Sequence, residues 1–119
     1  MQTRGFCPWY PVAEIEDHAP AAPGVFQVRL KFGLVGYPRG KSAMIHYGYA
    51  DDLRQGAGAW ADSHGARIES WLCRHITGPA PDMAAEFDNL MMRFVSRFGQ
   101  PPSLPDALLS NGATLPRPK

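Results

Sequence analysis

Nowhere does the chain offer a run of about 18 apolar residues, the length that a membrane-spanning helix needs. Its N-terminus also lacks a basic segment leading into an apolar stretch, so neither an anchor nor a secretory leader is expected and the expected location is cytoplasmic. Cysteine is scarce. Cys7 and Cys73 stand alone, with no Cys-x-x-Cys pair and no partner at metal-ligand spacing, and read as two buried or free thiols. His18, His64 and His75 have no i+4 partner and no cysteine neighbour, so no zinc site can be argued from them. A surplus of charge is missing too, with 12 Lys and Arg against 11 Asp and Glu for a net charge of +1. A protein that grips phosphates with its whole surface would carry a basic excess, so only a local basic stripe stays open. Internal repeats are also lacking.

What is there suffices for one domain: 119 residues, 45% of them hydrophobic, can bury a single core. Residues 1–22 carry scattered prolines, an acidic patch at Glu14, Glu16 and Asp17, and no sustained period, which predicts a lead-in segment. Its aromatic residues Phe6, Trp9 and Tyr10 hold too much apolar surface for a free tail and are expected to cover one sheet edge. Residues 23–100 read as the domain, and 101–119 as a proline-rich tail with one short apolar cluster.

Within the domain, residues 24–32 alternate Phe26, Val28, Leu30 and Phe32 against Val25, Gln27, Arg29 and Lys31, the period of a strand. Residues 33–42 hold Gly33, Gly36, Pro38 and Gly40 and read as a long hairpin loop bearing Arg39 and Lys41. Residues 43–50 are rich in aromatic and β-branched types and form the next strand. Asp51 or Asp52 then caps a helix over 51–62, with Leu53 and Trp60 toward the core. Residues 66–76 fit a helix or a strand, and periodicity does not decide between them. After the turn at Thr77–Pro81, Asp82 is expected to cap a helix over 82–98 that Gly99 stops. Along it Phe87, Leu90, Met91, Phe94, Val95 and Phe98 follow helical spacing and make one core stripe.

Gly40-Lys41-Ser42 suggests a phosphate-binding loop, but the glycine required five places earlier is Val35 and a strand follows, so that reading fails. A different pattern carries more. Gly24-Val25-Phe26, followed by His46-Tyr47-Gly48 and then Leu53-Arg54 at a helix start, resembles the paired motifs of the GIY-YIG nuclease family. The resemblance spans about residues 23 to 100, matches at Gly24, Gly48 and Leu53, and treats the hairpin as an insertion. It implies an α/β (α+β) fold with a three-stranded antiparallel sheet flanked by helices, so that residues 67–76 become the third strand. It also implies that Glu86, near the start of the last helix, is the metal ligand.

The departures decide what function to expect. Phe26 and His46 stand where the family has its two motif tyrosines, and Gly56 falls where the family's phosphate-contacting arginine belongs. Phosphodiester hydrolysis needs an activated water, a divalent ion and a cation on the phosphate. His46 could serve as the base, Glu86 could hold Mg²⁺ or Mn²⁺, and Arg39, Lys41, Arg54 or Arg93 could hold phosphate. Each has a plainer account: a packed histidine, an acid in the first turn of a helix, and arginines on a solvated face. With three roles vacant, the expectation is a degenerate domain without robust cleavage and without a cofactor, with DNA or RNA as its partner. An active metal-dependent endonuclease and a small protein-interaction module are the alternatives.

Overall fold

The computed structural model describes residues 5–64 and 71–103. In chain order these form β1 (Tyr10–Pro11), a 3₁₀ turn (Val12–Glu14), α1 (Ile15–His18), β2 (Gly24–Leu30), β3 (Val35–Tyr37) and β4 (Gly40–Ser42). There follow β5 (Met44–Ala50), α2 (Leu53–His64), β6 (Trp71–Thr77) and α3 (Ala80–Phe98). The fold is mixed α/β. Its main sheet has four antiparallel strands in the order β1-β6-β2-β5, and β3 and β4 make a separate two-stranded ribbon.

Three strands of the sheet are those expected, β2 from its period-two patterning, β5 from its aromatic and β-branched residues, and β6 from the family resemblance alone. β2 is central, pairing Phe26 with Gly48 on β5 and with His75 on β6. The fourth strand comes from the N-terminal segment, where Tyr10 pairs with Cys73 and the Cys7 amide donates to the His75 carbonyl at 3.0 Å. That segment covers the β6 edge. It also contributes to the core, because Tyr10, Val12, Ile15 and Ala19 are all buried there. Residues 33–42 are more ordered than a plain loop: the β3–β4 ribbon folds over the end of α3, and Tyr37 packs edge-on to Phe94 at 5.1 Å.

Alternation along the strands gives the sheet two faces. On one, α2 lays Trp60 against His46 and Trp71. On the other, α3 lays Phe94 against Tyr47. Because both faces are covered, the nominally polar side of β2 is not a solvent side, and Gln27 is only 2% exposed.

The helix starts show one agreement and one correction. Asp52 accepts the Gln55 amide at 3.0 Å and caps α2, which runs two residues past the expected end. Asp82 caps nothing. α3 begins at Ala80 behind Pro79 with no side-chain cap, because a proline near the first turn has no N–H to satisfy and presets the helical φ. Asp82 thus lies inside the first turn, where a negative charge suits the helix dipole. Gly99 ends the helix in the left-handed conformation at φ 94°, as expected. Met83 is fully buried where no core role was foreseen, and Val95 at the edge of the stripe is 37% exposed.

Candidate functional site

His46 projects from β5 onto the α2 face. Its ring stacks on Trp60 at 4.6 Å and 24°, with Phe26 at 5.4 Å on the neighbouring strand. Burial, aided by the nearby His64 charge, brings its pKa down to about 4. Glu86 sits on α3, across the sheet from that stack. The two candidates for base and metal ligand are therefore on opposite faces and share no cleft. Among the described residues no group of three or more His, Cys, Asp and Glu side chains gathers that could hold a metal ion.

The remaining motif positions are tightly packed. Phe26 lies across Gly48, where an added Cβ would come within 2.5 Å of its ring. At Gly56 an added Cβ would stand 2.5 Å from the Ala50 Cβ, because α2 crosses β5 at close range. An arginine cannot enter that position without moving the helix. Gly24 is buried at the start of β2 against Leu53.

The candidate cations divide between the faces. Arg54 donates to the Ala19 carbonyl at 3.0 Å and borders a groove of about 540 Å³ beside α2 that Glu16, Asp52 and Asp62 make acidic. Arg39 donates to the Val95 and Ser96 carbonyls at 3.2 and 2.8 Å and closes the C-terminal end of α3. Lys41 is exposed on the adjoining strand β4. Arg93 and Arg97 rim a pocket of about 280 Å³ between α3 and Tyr47, floored by Leu90, Phe94 and Phe98.

Two cations on this face were not singled out from the sequence. Arg29 of β2 and Arg74 of β6 both lie over the Trp9 ring, at 4.9 and 4.5 Å from its centre. Arg74 also covers Phe6 at 4.7 Å and donates from Nε to Gln27 at 2.7 Å. Burial lowers the Arg74 pKa, and the Arg29 charge acts in the same direction. Arg74 and Arg93 both act on the Tyr47 hydroxyl, whose pKa is raised chiefly by burial. The signal was available in principle: pairing β2 with β6 puts the odd residues of β2 and the even residues of β6 on one face. It becomes visible only once that pairing is known.

The chain matches no known family model, no curated protein and no solved structure.

Proposed function

We propose that this chain is a GIY-YIG-like domain that has lost catalysis and binds nucleic acid. One observation carries the first half. His46 is enclosed beneath Trp60 on the α2 face while Glu86 belongs to α3 on the other, so no single phosphate can meet both. Phe26 has no proton to give, and Gly56 has no room for an arginine. Loss of proton-transfer help is worth about 10²–10⁴ in rate and loss of a charge-stabilising donor about 10²–10³, so turnover would be negligible. The binding half draws support from the arginines on the α3 face. Among the described residues the one ion pair is His18–Glu14, which leaves Arg29, Arg74, Arg93 and Arg97 without a carboxylate.

A cytoplasmic setting suits the free thiols Cys7 and Cys73. No described helix is long and apolar enough to cross a membrane. The protein-interaction reading has one observation in its favour: among the described residues β5 is an edge strand of the sheet, and an edge strand can accept an extended segment of another chain.

The test is incubation with supercoiled DNA, single-stranded DNA and RNA in Mg²⁺ or Mn²⁺, comparing the parent with Glu86→Ala and His46→Ala. Salt-sensitive binding with no cleavage above blank is the expected result. Cleavage abolished by Glu86→Ala would restore the active endonuclease, and the absence of both binding and cleavage would transfer the case to the interaction module.

A further inference from the structure

Arg29 and Arg74 stand on neighbouring strands with one indole beneath both guanidiniums. Like charges so placed repel, yet the fold holds them together by packing on Trp9 and Phe6 and by the Gln27 hydrogen bond. The Arg29 Nε is buried and donates to nothing among the described residues. A buried donor without an acceptor is costly to maintain, and among the described residues no carboxylate lies within 4.0 Å to offset it. Two planar forks fixed in advance suit the several oxygens of a phosphate, which accepts parallel N–H bonds from each.

The surroundings narrow the source of that phosphate. Tyr47 lies within electrostatic reach of both Arg74 and Arg93, and it lines the aromatic pocket that Arg93 and Arg97 rim. A flat, unpaired base can enter such a pocket and stack, whereas a base held inside a duplex cannot. We propose that Arg29 and Arg74, braced on Trp9, seat a phosphate of a single-stranded nucleic acid, one of whose bases enters the pocket at Tyr47 between Arg93 and Arg97. The inference rests on the nucleic-acid reading above and names the strand form and the residues that reading would use.

The test is fluorescence anisotropy with labelled oligothymidylate and oligouridylate against a hairpin duplex of equal length. Parent chain is compared with Arg29→Gln, Arg74→Gln, their lysine counterparts, and Lys31→Gln as a charge control beyond the end of β2. Single strands should bind more tightly than the duplex, and each glutamine variant should lose about ten-fold or more in affinity. The lysine variants should fall between, since they keep the charge and lose the fork. Lys31→Gln should stay within about two-fold, as one distant screened charge would. With Arg93 and Arg97 each meeting a flanking phosphate beside the one on Arg29 and Arg74, three phosphates are engaged and the log–log salt slope should be roughly −2.

A readout on the parent alone covers the case of a variant that fails to fold: the Arg29 and Arg74 Nε–H resonances should shift during oligonucleotide titration. Binding with those resonances unmoved, or tighter binding of the duplex, would overturn this inference while leaving nucleic-acid binding intact. No binding to any nucleic acid would overturn both.

Discussion

Trp60 stacks with two imidazoles, His46 at 4.6 Å and His64 at 4.2 Å. In the unfolded chain His46 takes a proton near pH 6.5, but in the folded protein burial delays this to about 4. The unfolded state therefore binds more protons between those values, and stability is full above pH 6.5 and falls as the pH drops toward 4. The total loss from this ring is up to about 3 kcal/mol. Urea melts from pH 7.5 to 4 should show a declining midpoint, and His46→Phe, which keeps an aromatic ring on Trp60, should flatten that decline. An unaltered decline would assign it to other groups such as His75, whose pKa burial also lowers. Phe94 gives a simpler case. It is 6% exposed and meets Tyr37, Tyr47 and Phe98, so Phe94→Ala should cost roughly 3–5 kcal/mol in denaturant melts. A change below about 0.5 kcal/mol would mean that this ring is not in the core.

At the scale of elements, α3 was the most legible piece, because a stripe at helical spacing closed by glycine has one physical solution. Its start was misjudged because Asp82 looks like a cap, while prolines at 79 and 81 nucleate the helix without one. The N-terminal segment was legible only in part. Its aromatic content predicted that it would cover an edge, but a two-residue strand leaves no period to read. The structure makes that strand the cover over Cys73, whose thiol is fully buried and pushed up to about 12 by burial. Native thiol titration should therefore find Cys7 reacting and Cys73 protected. Deleting residues 1–14 removes Cys7 and should leave Cys73 open to reagent. Protection of Cys73 in the shortened chain would show that β1 is not its cover.

Across the whole molecule, β2, β5 and the two long helices could be read from residue patterning and β6 only from the family resemblance, but which side chains meet across strands could not be read at all. Arg29 looked like the polar half of an alternating strand, and Arg74 fell within a segment that helix and strand fitted equally well. Their meeting depends on register, and register is fixed by the whole sheet. For His46 and Glu86 the family resemblance groups two residues that the sheet separates, since β5 presents His46 to α2 while Glu86 belongs to α3 on the other face.

The position of β6 has a consequence for how the chain acquires its structure. β6 pairs with β2 and with β1, so Tyr10 must wait for Cys73, and Gly24 for Thr77, before the central strand is flanked on both sides. Closing such distant pairs costs chain entropy before any contact repays it, so the sheet should complete more slowly than the helices form. Until β6 is synthesised, β2 and β5 have only α2 against one face while the face that α3 will cover stays open, a state that is marginal in water. The growing chain therefore passes a long interval on the ribosome with its core unmade, the stage at which a chaperone would find it.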